Sequence, residues 1–164
     1  MATGTIILPV KAADNFGALI TSGARFERAD GLRKILFAAD STEQIIYQFE
    51  LPENYASAHV SKDKYAMASA TSGKIAWETE VMAIGDGEDI DTASFDSVNE
   101  VSGGTTVPGT AGFRDTIQQS LTDNDSMAPE ETVLMRKSRV HDDSDDTATG
   151  DMEYIGGALE YTTS

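Results

Sequence analysis

Residues 43–51, Glu-Gln-Ile-Ile-Tyr-Gln-Phe-Glu-Leu, decide the fold class because their apolar side chains recur at every second position. Ile45, Tyr47, Phe49 and Leu51 share one face, and glutamine or glutamate fills most of the positions between them. Successive side chains of a β-strand point to opposite faces, so a period of two indicates a strand with one buried face. The stretch therefore predicts a half-buried strand.

The same analysis predicts about nine short strands, separated by turns rich in Asp, Gly, Pro, Asn and Ser. The further strands are predicted at 5–10, 19–28, 32–38, 64–70, 75–84, 113–121 and 152–161. The predicted buried face of 75–84 consists of Ile75, Trp77, Val81 and Ala83. That of 113–121 consists of Phe113, Ile117 and Leu121, and that of 152–161 of Ile155, Gly157, Leu159 and Tyr161.

One segment, 128–137, is ambiguous. Pro129 followed by two glutamates is typical of a helix N-terminus. However, Val133 and Met135 alternate with their neighbours, and the chain continues through Ser138 and Arg139 without a helical period. We predict a strand here as well.

Many short strands without intervening helices predict an antiparallel β-sandwich or barrel. The segments 85–112 and 141–151 are rich in Asp, Ser, Thr and Gly, and we expect them to form long loops at the ends of the sandwich.

Charge is distributed unevenly along the chain. The net charge is −16, and residues 75–164 contain the whole excess, with 20 acidic and 4 basic side chains. Phosphate contacts require clustered lysine and arginine, so this balance argues against nucleic-acid binding and against docking on an anionic membrane. The chain contains no cysteine, which excludes thiol catalysis and thiolate metal sites.

The residues that bear reactive groups form no recognisable catalytic motif. The two histidines, His59 and His141, are interpreted as residues of loops or strand ends, and no Gly-x-Ser-x-Gly nucleophile turn is present. The acidic runs 86–91 and 142–146 lack the ligand spacing of a calcium-binding EF-hand and are interpreted as solvated turns, although calcium binding there stays open. We predict no catalytic residues, no metal and no cofactor.

Several blocks of sequence, in their order along residues 30–162, resemble tailed-phage virion proteins that have a jelly-roll-like β-sandwich. The blocks are Phe-Glu-Leu-Pro-Glu-Asn-Tyr at 49–55, Ala-Ser-Ala-Thr-Ser-Gly-Lys-Ile-Ala-Trp-Glu at 68–78, Asp-Ile-Asp-Thr-Ala-Ser-Phe at 89–95, Thr-Val-Pro-Gly-Thr-Ala-Gly at 106–112, Arg139, Asp-Asp-Thr-Ala-Thr-Gly-Asp at 145–151 and Leu-Glu-Tyr at 159–161.

The resemblance implies an all-β, antiparallel, jelly-roll-like sandwich over residues 30–164, preceded by an N-terminal arm or extra strands over 1–29. It implies a structural virion protein, not an enzyme, and within that group we favour a capsid cement (decoration) protein on the outer surface of the capsid. The expected partners are the major capsid protein and further copies of the chain, in a dimer or trimer, with no nucleic acid and no membrane. The alternative is a tail, baseplate or fibre module that binds a host surface.

A carbohydrate-binding β-sandwich is a third alternative, but such modules present several exposed aromatic side chains. Here Tyr47, Phe49 and Trp77 occupy positions of the predicted core.

If one face of the protein docks and the other stays in solvent, the apolar and weakly basic N-terminal part is expected to face the capsid. The candidate contact residues are Ile6, Ile7, Leu8, Val10, Arg25, Arg28, Arg33 and Lys34. The acidic loops 85–100 and 141–151 are expected to face solvent.

Overall fold

A computed structural model describes residues 2–10, 19–29 and 31–164. The described chain forms thirteen β-strands. They are β1 (Thr3–Pro9), β2 (Leu19–Ser22), β3 (Arg25–Ala29), β4 (Leu32–Phe37), β5 (Glu43–Glu50), β6 (Tyr55–Met67), β7 (Lys74–Ile75), β8 (Trp77–Ile84), β9 (Asn99–Glu100), β10 (Thr105–Thr106), β11 (Asp115–Ser120), β12 (Thr132–Arg139) and β13 (Met152–Thr163).

The strands form two main antiparallel sheets and one short ladder. The first sheet has the order β11-β6-β13-β4-β3, with β1 also paired to β13, and the second has the order β2-β5-β12-β8-β9. The pair β7-β10 stands apart from both. The prediction of an all-β, jelly-roll-like sandwich is confirmed.

The period-two prediction holds well in the second sheet. Ile45, Tyr47 and Leu51 are buried, and β8 alternates buried and half-buried residues along its whole length. The ambiguous segment is a strand, β12, that pairs with β5 on one side and β8 on the other. β12 satisfies the backbone groups along the facing edges of both strands, which a helix at this position would leave unpaired.

Aromatic rings join the two sheets in the core. The ring of Trp77, on β8, meets the ring of Phe37, on β4, edge to face at 5.0 Å, and it stacks on the ring of Tyr154, on β13, at 5.5 Å. Trp77 is buried, as predicted. These rings fill the centre of the sandwich and are unavailable to a ligand.

Two predicted faces need correction. Phe113 lies in the turn before β11 and is 66 % exposed, so it does not belong to the buried face with Ile117 and Leu121. In β13, Tyr154 and not Ile155 faces the core, because a β-bulge between Tyr154 and Gly156 shifts the alternation by one residue.

The described N-terminal strands belong to the two sheets. β4 pairs with the first residues of β13, and β1 pairs with the remainder, from Gly156 to Thr162, along the same side of that strand. β2 extends the second sheet at β5, and β3 forms a hairpin with β4. Two core side chains, Leu8 and Val10, come from β1 and the residue that follows it.

The acidic loop 141–151 is only partly solvated, which corrects the expectation that it faces solvent throughout. Asp142 is exposed, but the carboxylate of Asp146 is buried against the guanidinium of Arg139. In the loop 85–100, Asp86, Glu88 and Asp89 are exposed.

Candidate functional site

A surface cleft of about 400 Å³ opens where β1 and β4 diverge beside the bulge of β13. We call it the β1 cleft. Its lining residues are Ile7, Leu8, Pro9, Val10, Gly31, Leu32, Arg33, Lys64, Ile155, Gly156 and Gly157.

The bulge shapes the floor of the cleft. Gly156 has a φ of 133°, a conformation that side chains disfavour, and a Cβ atom there would lie 3.0 Å from the carbonyl oxygen of Leu8. Glycine at this position lets β1 approach β13 closely. The shape of the cleft floor therefore depends on the bulge in the backbone of β13.

The walls of the β1 cleft are apolar and cationic. Ile7, on β1, is 65 % exposed and Leu32, on β4, is 50 % exposed, so two large aliphatic side chains at one cleft are open to solvent. Arg33 and Lys64 are exposed beside them, and neither forms an ion pair within the described ranges 2–10, 19–29 and 31–164. None of the described residues that line the cleft carries a carboxylate. A ligand for this surface should combine apolar and acidic groups.

One edge of β1 also lacks a strand partner among residues 2–10, 19–29 and 31–164. Within the part of the chain that the structure describes, β1 pairs only with β13. The backbone N–H and C=O groups on its other side are therefore able to bind an added strand. Pro9, which has no N–H group, limits such pairing at the C-terminal end of β1.

The structure brings four of the eight predicted contact residues to this cleft: Ile7, Leu8, Val10 and Arg33. Only Ile7 and Arg33 are exposed, since Leu8 (2 %) and Val10 (8 %) anchor the wall in the core. Leu8 and Val10 are therefore corrected from contact candidates to residues that support the cleft wall from the core.

The other four candidates lie elsewhere. Ile6 packs against the core. Arg25 is exposed, 3.9 Å from a carboxylate oxygen of Asp151. Lys34 forms ion pairs with Glu153 and Glu27 and is therefore less available to a partner. The side chain of Arg28 lies outside the described residues.

Sequence reasoning missed Leu32, Lys64 and Ile155 as parts of the site. The sequence predicts a strand at Leu32 but does not show which face of the strand this side chain takes. Lys64 reaches the cleft only through the register of β6 with β13, where it pairs with Gly156. The adjacent glycines 156 and 157 were the available signal for the bulge, because glycine inside a strand often marks one.

The histidines and acidic runs form ordinary local contacts. Nδ1 of His141 lies 3.1 Å from the hydroxyl of Thr42, and the ring of His59 stacks on that of Tyr55 at 5.2 Å. In the run 86–91, carboxylates accept backbone N–H groups of their own turn, for example Asp91 N–H to Asp89 at 3.0 Å. Among the described residues no group of three or more His, Asp or Glu side chains is placed to hold a metal ion.

A second feature, missed from the sequence, is a buried polar cluster between the sheets. Nζ of Lys137, on β12, lies 2.8 Å from Oδ2 of Asp63, on β6, and neither side chain is exposed. Burial lowers the pKa of Lys137 and raises that of Tyr154, whose hydroxyl donates to Asp63. Lys137 follows Val133 and Met135 on the same face of β12, so the alternation itself placed a lysine in the core.

No family of proteins and no curated protein matches the sequence. Solved structures do resemble the fold. A family 35 carbohydrate-binding module from Clostridium thermocellum is 10 % identical over 95 % of this chain and 97 % of that one, with a TM-score of 0.50. The xylan-binding module CBM15 is 14 % identical over 98 % of both chains, also with a TM-score of 0.50. An isomalto-dextranase from Arthrobacter globiformis T6 is 14 % identical, with a TM-score of 0.52, but this chain covers only 23 % of it.

At 10–14 % identity these similarities establish the β-sandwich and no ligand. Sugar rings commonly stack on exposed aromatic side chains, yet the described residues that line the β1 cleft include no aromatic one. Trp77, Tyr47 and Tyr154 are buried in the core. Finally, no helix of the described chain has the length and apolar character needed to cross a bilayer.

Proposed function

We propose that this protein is a structural virion protein of a tailed phage, a capsid cement (decoration) protein that binds the outer surface of the assembled capsid and stabilises it. Its partner is the major capsid protein. Two features support the proposal: the resemblance of the sequence blocks over residues 30–162 to phage virion proteins, and the β1 cleft with its unpaired strand edge.

The β1 cleft is the observation on which the proposed contact rests. Exposed Ile7 and Leu32 offer apolar area whose burial favours association, at roughly 25 cal/mol per Å². The edge of β1 that pairs with no described strand offers backbone hydrogen bonds to an extended segment of the coat protein. Arg33 and Lys64 favour an acidic segment over a basic one.

Charge supports the orientation. The cations of the cleft lie on the first sheet, whereas the acidic loop after β8 lies against the edge of the second sheet, where Asp96 N–H donates to the Val81 carbonyl. With the β1 cleft on the shell, this loop faces solvent and like charge keeps particles apart.

Stabilisation follows from mass action. A protein that binds the assembled shell and not the dissociated subunits shifts the equilibrium towards the shell, and the shift grows with its concentration. Assembly of the chain as a dimer or trimer would strengthen this effect, because several linked contacts bind with higher avidity than one.

The experiment compares three variants for binding to capsids that lack the chain, measured by co-sedimentation. Ile7→Asp and Leu32→Asp put a carboxylate into the apolar contact and are expected to weaken binding about tenfold or more. Ile90→Asp is the matched control, because Ile90 is also an exposed aliphatic residue but lies in the acidic loop. Equal binding by all three variants would contradict the proposed contact.

The function itself is tested on particles without the protein. They are expected to assemble but to release their genome at a lower temperature, and added protein is expected to restore the release temperature. Particles that keep their thermal resistance but fail to adsorb to cells would instead support the alternative, a tail, baseplate or fibre module that binds a host surface.

A further inference from the structure

The buried pair Asp63–Lys137 connects the two sheets at a point that the proposed binding function does not use. Asp63 comes from β6 in the first sheet and Lys137 from β12 in the second. Nζ and Oδ2 are 2.8 Å apart, and both side chains are completely buried. The primary amine of a lysine and a carboxyl group held in contact are the two reactants of an amide condensation.

Hydroxyl groups complete the arrangement. Ser61, two residues before Asp63 on the same face of β6, accepts a hydrogen bond from Nζ of Lys137 at 2.5 Å and donates one to Oδ2 of Asp63 at 2.9 Å. Its hydroxyl thus bridges the amine and one carboxylate oxygen. The hydroxyl of Tyr154 donates to the other oxygen, Oδ1, at 3.1 Å. The indole N–H of Trp77 donates to Oδ2 at 3.1 Å.

A glycine leaves the space that this arrangement needs. A Cβ atom at Gly157 would lie 2.5 Å from Oδ1 of Asp63 and 2.8 Å from the Tyr154 hydroxyl. Any other residue at 157 would displace the hydrogen bond between these two groups. The contact between Tyr154 and Asp63 therefore depends on the glycine at position 157 of β13.

We propose that Lys137 and Asp63 condense to an intramolecular isopeptide bond that joins the two sheets covalently. One proton of the lysine ammonium first passes directly to Oδ2, which leaves a free amine beside a neutral carboxylic acid. Nζ then attacks Cγ of Asp63, a second proton passes from Nζ through the Ser61 hydroxyl to Oδ2, and the bond between Cγ and Oδ2 breaks. The third proton stays on the amide nitrogen. Oδ2 leaves as water, so the step requires no oxidant, reductant or co-reactant.

The surroundings favour each part of this step. Burial disfavours the ammonium form and lowers the pKa of Lys137, which provides the free amine that attacks. Tyr154 stabilises the negative charge that develops on Oδ1 in the tetrahedral intermediate. Both reactants are fixed by strands, so little orientation entropy remains to be lost. The product also removes two charges from a site without solvent, where charges are costly.

The test is the intact mass of the full-length purified chain under denaturing conditions. The expected result is a mass lower than that of the sequence by one water, with a proteolytic fragment in which residues 63 and 137 are joined. A chain at full mass after prolonged incubation would overturn the proposal and leave an ion pair. A water loss that maps to Asp86-Gly87, where a succinimide can form, would overturn it equally.

Variants test the roles of the residues. Lys137→Arg keeps a cation but has no primary amine, so its chain is expected at full mass; a retained water loss would contradict the proposal. Ser61→Ala and Tyr154→Phe keep both reactants and are expected to form the bond slowly or incompletely, seen as a mixture of two masses. If Lys137→Arg does not fold, these two variants and the wild-type mass still decide the question.

Discussion

Arg139 and Asp146, seven residues apart, form a two-pronged ion pair inside the protein. Nε and Nη2 of the guanidinium lie 2.9 and 2.8 Å from the two carboxylate oxygens, and both side chains are buried. The remaining donors bind the carbonyls of Phe37, Ala148 and Gly150. One arginine thereby fixes the loop between β12 and β13 to the end of β4.

Removal of the carboxylate should therefore be costly. Asp146→Ala leaves a buried guanidinium without its counter-ion, and we expect a loss of about 3–5 kcal/mol in the free energy of unfolding, measured by urea denaturation. Asp142→Ala is the matched control in the same loop, because its side chain is exposed, and it should change stability by about 0.5 kcal/mol or less. Equal effects of the two substitutions would contradict this account of the loop.

The fold was predictable where one rule applied along a whole segment. Alternation identified β5 and β8 and favoured a strand over a helix for the ambiguous segment that forms β12, since a strand in a sandwich has one face in the core and one in solvent. The predicted buried face of β13 is wrong at Ile155, because a bulge there inserts one residue into the strand. Residues before and after the bulge therefore follow two different alternations of buried and outward-facing side chains. Composition likewise failed for Asp146, since nothing in an acidic run tells which member meets an arginine.

Only the part of the candidate site that comes from the N-terminal segment could be predicted from the sequence. The apolar and basic character of the N-terminal part pointed to Ile7 and Arg33, and both lie at the β1 cleft. Lys64 and Ile155 join them through strand pairing between distant segments, which a single sequence does not reveal. Packing of the two sheets against each other, which a single sequence does not reveal either, placed Asp63 against Lys137.

Trp77 should contribute more to stability than any surface aromatic residue. Its ring packs on Phe37 and Tyr154, and its N–H binds Asp63. Trp77→Ala is expected to cost about 3–5 kcal/mol in the free energy of unfolding, as large buried aromatics do. Phe113→Ala, at an exposed ring, should be close to neutral. Chemical denaturation measures the free energy of unfolding of both variants, and the two are comparable when that free energy depends on denaturant concentration with the same slope. A neutral Trp77→Ala would place the ring outside the core.

Neighbouring residues of β1 distinguish a strand of the sandwich from a free arm. Leu8 is buried and Ile7 is exposed, so Leu8→Ala should cost about 2–5 kcal/mol and Ile7→Ala about 0.5 kcal/mol or less. A shift in the urea midpoint for Leu8→Ala alone is the expected outcome. If neither substitution moves the midpoint, the first ten residues do not contribute to the fold, and their deletion becomes a clean test of shell binding.

Acid should weaken the fold through His59. Its ring stacks on Tyr55, and burial lowers the pKa of His59 below the usual 6.5 because the imidazolium form loses its hydration. Below about pH 6.5 the unfolded chain takes up a proton that the folded chain still refuses, so the free energy of unfolding falls with pH and levels off below the folded-state pKa. Urea denaturation of the wild type and of His59→Phe, from about pH 8 to about pH 5, isolates this contribution as the difference between the two curves. Phenylalanine keeps a ring against Tyr55 but takes up no proton, so the variant should lose less stability on acidification. Parallel curves would show that the protonation of His59 is not linked to unfolding.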